Sequence, residues 1–404
     1  MLYKKILAAV SAAAVCVSCL SVFAVNVSAS DTPTAVRTAK ELMNMKADGD
    51  YYLACDIDLS DVNWKPISGF YGTFDGGGYE ITGMSSESYG LFSSLKSGAV
   101  VKDVMLTDVY ITSKYKNVGA VASIIQSSAK NVTVDGCYVS GLVSSCRTKY
   151  GQDSASTAGS IIGINNSSSA VISNCYSNAV VASEKTVGGI VGTNRGTIKN
   201  CGFGGQLGSA YNIYELGCDK DGNKNEDYKY LYAVGGITGI NYGKLSNSFS
   251  SCTRVDAASY YGGISGILNK SGSITYCVNS SDVPYDDFLT GGLICGYASA
   301  KSTVKNCYTK KPTNTTVSND IGKGKKDSVT YGVAAEKYNK ISSFKRLGSG
   351  WEILNGMPVL KSIRDYADTE AVYVIKGERL VRTASDEDDA DVSFGYDEYG
   401  DILE

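Results

Sequence analysis

The sequence predicts an all-β chain folded as a parallel β-helix, a solenoid of about eight to ten coils with a short N-terminal capping helix. Three observations lead to this fold. A glycine motif recurs every 27–29 residues once two insertions are set apart. Asparagine and cysteine columns repeat in phase with it. Short stretches rich in Val, Ile, Thr and Tyr alternate with period two between turn residues, and no 3.6-residue period accompanies them.

The motif occupies Tyr89-Gly90-Leu91-Phe92, Val118-Gly119-Ala120-Val121, Ala158-Gly159-Ser160-Ile161, Val187-Gly188-Gly189-Ile190, Val234-Gly235-Gly236-Ile237, Tyr261-Gly262-Gly263-Ile264 and Thr290-Gly291-Gly292-Leu293. Asn165, Asn194, Asn241 and Asn269 follow the glycines, and then a β-branched residue or Leu: Val171, Ile198, Leu245, Ile274, Val304. Next comes an Asn-Cys or a variant of it at 136–137, 174–175, 200–201, 247–248, 276–277 and 306–307. A unit this short cannot bury an apolar face alone. Stacking units about 4.8 Å apart sets like residues over like and builds one core. Glycine suits corners that need positive φ, and asparagine tolerates the left-handed region and can ladder its amide between coils. The column Cys137, Cys175, Cys201, Cys277 and Cys307, interrupted by Ser248, reads as small buried side chains rather than disulfides or metal ligands. Cys146 and Cys218 lie off the column and are the better candidates for a bridge or an exposed thiol.

Residues 1–29 read as a secretory signal: Lys4 and Lys5, an uncharged run from Ile6 to Ala24, then Val27-Ser28-Ala29 before cleavage. An uncleaved anchor is the alternative, since the run is long enough to span. No second stretch approaches that length, so a secreted or cell-surface chain with no membrane span after signal removal is expected. Residues 30–50 form the N-terminal cap, with Thr38–Met45 as an amphipathic helix over the open coil. The solenoid covers 51–363, and Phe344–Leu360, with Trp351, Pro358 and Val359, would close its other end. Residues 364–404 hold a short strand pair and an acidic tail, with nine acidic and no basic residues in 383–404.

Two insertions, near 147–157 and 210–232, both precede the glycine pair and should leave the same corner two coils apart. The second reads as a projecting hairpin with Tyr211, Tyr214, Tyr228, Tyr230 and Tyr232 on its arms. These rings either offer aromatic faces to sugars or protein partners, or pair across the hairpin. Its tip carries Asp219, Asp221, Asn223, Asn225 and Asp227 around Gly222, loosely like a Ca²⁺ loop; a polar turn is the plainer reading, and no other cofactor is implied.

Composition removes much chemistry. There is no histidine, hence no Ser-His-Asp or Cys-His nucleophile, imidazole base or His-ligated zinc. Lys301, Lys305, Lys310, Lys311, Lys323, Lys325 and Lys326 gather near the last coils against Asp320, which reads as a solvated surface. With no basic, aromatic reader motif, nucleic acid is not an expected partner.

Gly188-Gly189-Ile190-Val191-Gly192, with Asn194, Gly196, Ile198 and Asn200-Cys201, resembles the GLUG-motif repeats of bacterial surface and secreted proteins. Phe70–Ile81, Asp56–Leu59 and Gly356–Leu360 resemble the first and closing segments of the same proteins, so that the resemblance covers roughly residues 50–362. It implies a right-handed β-helix in an adhesin-like extracellular protein, and no catalytic residues. The early coils depart from it at Ser93 and Gly119–Ser123. The function expected is a non-catalytic binding or adhesion solenoid contacting a glycan or a surface protein. The alternative is a polysaccharide lyase or glycoside hydrolase on the same fold. Its candidate acids, Asp256, Asp282, Asp286 and Asp287, form no paired-carboxylate pattern.

Overall fold

The computed structural model describes residues 32–145, 156–209, 231–256, 258–281, 290–310, 319–324, 328–376, 379–383, 395–396 and 402–403. They form a parallel β-helix. Each coil passes through three stacked sheets, of 23, six and eight strands among the described residues, and every pairing between coils is parallel. The long sheet supplies two stretches per coil, and the six- and eight-stranded sheets complete the circuit.

Register shows what each repeated column does. In the long sheet Val101, Val134, Ile172, Ile198, Leu245, Ile274 and Val304 stack in line, and none is more than 2% exposed. Val171 therefore does not belong to this apolar column, as the sequence spacing suggested; its neighbour Ile172 does. The residues before the cysteines, Gly136, Asn174, Asn200, Tyr276 and Asn306, and their counterparts Asp103 and Asn247 before Val104 and Ser248, all take positive φ, between 46° and 63°. Asparagine recurs there because its short polar side chain tolerates that left-handed turn. The cysteines that follow are buried free thiols. Sγ of Cys175, Cys201, Cys277 and Cys307 donates to the carbonyl two residues back, at 3.1, 3.3, 3.4 and 3.4 Å.

The paired glycines serve another purpose than the one expected. None of Gly188, Gly235, Gly262 or Gly292 has positive φ. A Cβ on Gly188 would lie 2.1 Å from the Val191 carbonyl, and one on Gly235 the same distance from that of Thr238. Close backbone approach at the corner, not handedness, excludes side chains. The second glycines, Gly189, Gly236 and Gly263, meet the next coil's carbonyl at 2.1, 2.3 and 2.4 Å in the same way.

Asn165, Asn194 and Asn241 form a buried amide ladder, Nδ2 to Oδ1, at 2.9 Å for both steps. Asn269 does not extend it. The register sets Leu268 over Asn241, and the Asn269 side chain accepts from the Lys270 backbone instead.

At the N-terminal end a helix spans Ala39–Met43, with Thr38 as N-cap accepting from Glu41 N and Leu42 fully buried in the solenoid core. The C-terminal segment departs from its expected place. Trp351–Leu354 and Met357–Leu360 form an antiparallel hairpin that lies on the outer flank of the long sheet rather than over its last coil. There an outward column, Tyr138, Tyr176, Gly202, Phe249, Val278 and Tyr308, offers an apolar strip. The segment runs back along it: Phe344 on Tyr308, Trp351 on Phe249, Tyr366 on Tyr138 and Tyr373 near Tyr110, with ring centroids 5.2, 6.2, 5.2 and 6.2 Å apart. Asn178 Nδ2 donates to Glu370 O at 2.9 Å, and Arg382 pairs with Asp108. The antiparallel pair Tyr373–Lys376 and Arg379–Arg382 ends this strap six coils back from Tyr308. Among the described residues no helix is long and apolar enough to cross a membrane.

Candidate functional site

The corner between the long sheet and the six-stranded sheet is where the coils vary most. Ser113, Ser145, Ser183 and Ser209 stack there in one buried column. Small hydroxyls suit a tight corner because they can bond to backbone: Ser145 Oγ donates to Tyr115 O at 2.7 Å and Ser183 Oγ to Thr186 O at 2.9 Å. The two insertions begin just after Ser145 and Ser209, so their bases share this column, one coil separating them.

Of the sequence-derived candidates, Tyr232 is described. Tyr211, Tyr214, Tyr228 and Tyr230, and the oxygen cluster Asp219, Asp221, Asn223, Asn225 and Asp227, lie outside the described residues, as do Cys146, Cys218, Asp282, Asp286 and Asp287. Tyr232 is 48% exposed and begins an aromatic run over successive coils. Its ring meets Tyr260 edge-on at 5.8 Å, and Tyr260 meets Tyr297 at 5.9 Å. Partial burial, then the neighbouring tyrosines, raise the Tyr232 pKa, so it stays a neutral hydroxyl donor. On the turns of the adjacent coils, Arg195 stacks over the Tyr242 ring at 4.4 Å and Lys270 approaches it at 5.8 Å.

A second aromatic patch lies at the other end of the corner. Tyr89 and Tyr115, from successive coils, stack with centroids 4.6 Å apart and planes 19° from parallel. Together with Lys114, Lys116, Asn117 and Ile124 they line a groove of about 200 Å³. Lys114 is paired with Glu87 at 2.9 Å.

Tyr260, Tyr297, Tyr89 and Tyr115 escaped the sequence reading. Tyr89 and Tyr260 stand beside the glycine motif and looked like part of the repeat. A usable signal was there: at these positions other coils carry smaller residues, such as Thr186 in register with Ala233, which in turn pairs with Tyr260.

Asp256 performs a structural task. It is 7% exposed, accepts from Ser209 N at 2.8 Å and pairs with Arg254 at 3.3 Å, holding the corner at the second insertion. Among the described residues no group of three or more His, Cys, Asp or Glu side chains could hold a metal ion.

These features define a parallel β-helix with an elaborated corner. No family model matches the chain, and no curated protein matches it by sequence. Among solved structures, a Bacteroides ovatus protein provisionally named an immunoglobulin A1 protease is similar at TM-score 0.50 and 21% identity, over 82% of this chain and 92% of that one. A structure named IgA1 protease is similar at TM-score 0.55 and 18% identity; 78% of this chain matches 24% of that much longer one. At these identities the likeness establishes the fold.

Proposed function

We propose that the chain is a non-catalytic binding solenoid of an exported, adhesin-like bacterial protein of the GLUG-motif type, and that it holds an extended glycan along the insertion-bearing corner. The observation that carries this reading is the Tyr232–Tyr260–Tyr297 run. Three rings from three coils, at 5.8 and 5.9 Å, start with Tyr232, which closes the Tyr-rich insertion in sequence, and offer a line of apolar faces with hydroxyl tips. Such rings suit the C–H faces and hydroxyls of successive sugars. Further support comes from the signal-like N-terminus and from the fold shared with proteins named as immunoglobulin A1 proteases. A surface protein is the other ligand class that such a corner could serve.

The test uses the chain without residues 1–29 on a panel of cell-wall and plant polysaccharides. Tyr260→Ala with Tyr297→Ala, and separately deletion of 211–230, should each reduce retention at least about tenfold, since two lost stacking contacts are worth that much. Unchanged retention in both would remove the corner from the binding surface. Release of reducing ends or unsaturated products by the parent would replace the reading with the lyase or hydrolase alternative.

A further inference from the structure

We propose that the groove between Tyr89–Tyr115 and Lys116 is a separate subsite for a carboxylate-bearing sugar residue. It rests on the glycan-binding reading for its ligand class, but it lies on different coils from the Tyr232–Tyr260–Tyr297 run. The stacked pair gives the groove a rigid aromatic wall, because each ring fixes the other's rotamer. Tyr115 is 51% exposed and presents ring surface outward. Ile124, half-buried on the eight-stranded sheet, supplies the apolar floor. The groove's volume of about 200 Å³ suits one pyranose ring rather than a longer chain segment.

Charge selects an acid among such rings. Lys114 and Lys116 both line the groove, and Lys114 is already neutralised by Glu87 at 2.9 Å. Lys116 is exposed and makes no ion pair among the described residues, which leaves one cation for one carboxylate. Tyr89 remains a neutral donor, its pKa raised first by partial burial and then by Tyr115. Asn117, half-buried, completes the groove wall beside Lys116. A stacking face beside a cation without an ion pair among the described residues is the combination that recognises a uronic or sialic acid ring.

The experiment is calorimetric titration of the chain without residues 1–29 with three probes: trigalacturonate, sialyllactose and neutral cellotriose. The acidic probes should bind at least about tenfold more tightly than cellotriose, the value of one charge-assisted hydrogen bond. Lys116→Ala, an exposed substitution, should abolish that preference, and Tyr115→Ala should lower affinity for every probe. Preference for trigalacturonate would assign the groove to uronate polymers, and preference for sialyllactose to sialylated glycans. Equal binding of acidic and neutral probes, or a Lys116→Ala protein with the parent's preference, would overturn the proposal. Tyr260→Ala with Tyr297→Ala leaves the groove intact, so loss of polysaccharide retention there with unchanged trigalacturonate binding separates the two readings. Matching thermal melts of each variant and parent exclude misfolding as the cause.

Discussion

Removing the Asn194 side chain should destabilise the solenoid more than any single surface change. Asn194 is fully buried and sits in the middle of the amide ladder. Its Oδ1 accepts from Asn165 Nδ2 at 2.9 Å and from Gly196 N at 3.0 Å; its Nδ2 donates to Asn241 Oδ1 at 2.9 Å and to Gly196 O at 3.1 Å. At a net value of about 1 kcal/mol each, four lost bonds amount to about 4 kcal/mol for Asn194→Ala, and the partners left unpaired push the figure upward. Asn269→Ala is the control. Its side chain stands outside the column and, among the described residues, bonds only to Lys270 N, so the cost should be under about 0.5 kcal/mol. Asn194→Asp gives a second test, because a carboxylate keeps the two acceptor roles and sets its charge against Asn241 Oδ1 and the Gly196 carbonyl. Burial holds its folded pKa above the unfolded carboxyl value. Stability relative to the parent is then best in acid and is lost as pH rises through the folded pKa, so the deficit grows toward neutrality. Urea unfolding followed by circular dichroism reads all three variants. A cost below about 1 kcal/mol for Asn194→Ala, or a pH-independent Asn194→Asp, would refute the ladder as a stabilising element.

Three further outcomes follow from the same geometry. Tyr276 occupies the positive-φ corner at 57° where neighbouring coils place Asn, so Tyr276→Asn should stabilise by about 1 kcal/mol, read as a rise in Tm. Trp351 is 4% exposed against Phe249, and Trp351→Ala should weaken docking of the strap by about 3–5 kcal/mol. Native-state hydrogen exchange should show that loss over 351–360 while the Asn194 coil keeps its protection; equal losses in both would mean that the strap is no separate unit. Burial, before any other cause, pushes the Cys252 and Cys295 thiols up to about 12 from an ordinary 9.0. Unfolded thiols ionise near 9.0 while these stay neutral in the fold, so stability is full below that pH and falls as pH rises from about 9 toward about 12. A Cys252→Ala, Cys295→Ala chain should show a shallower alkaline loss in chemical-denaturation midpoints.

The solenoid was legible because stacking punishes deviation in every coil. A Cβ at Gly188 or Gly235 collides with backbone, and the left-handed corner before each cysteine tolerates Asn, so both columns leave a periodic trace. Phase was harder to read than period. Asn269 and Val171 lie one position from their columns, and a one-residue offset is invisible until register is known. The strap was misplaced for another reason: Phe344 and Trp351 announce an apolar surface to be covered but not its location. That surface is the outward column through Tyr176 and Phe249, whose rings close to 6.1 Å over Gly202, where a Cβ would lie 2.6 Å from the Phe249 ring. The corner tyrosines left no periodic trace because they occur only in some coils.

That irregularity bears on where function resides. On the flank of the long sheet, the aromatic column is already occupied by the chain's own strap through Phe344, Trp351 and Tyr366. Inside, the stacked apolar columns are buried in one continuous core. At the glycine corner, an added Cβ on the paired glycines would meet backbone at about 2 Å, which keeps those positions free of side chains. Positions just outside that corner carry no such constraint, and there Thr157 and Thr186 give way to Tyr260 along one register line. Large rings appear where the stack permits them and where the insertions leave the coil. A surface exempt from the repeat's packing rules is the one free to match a ligand, and in this chain it begins at the serine-lined corner and reaches Tyr297 on the eight-stranded sheet.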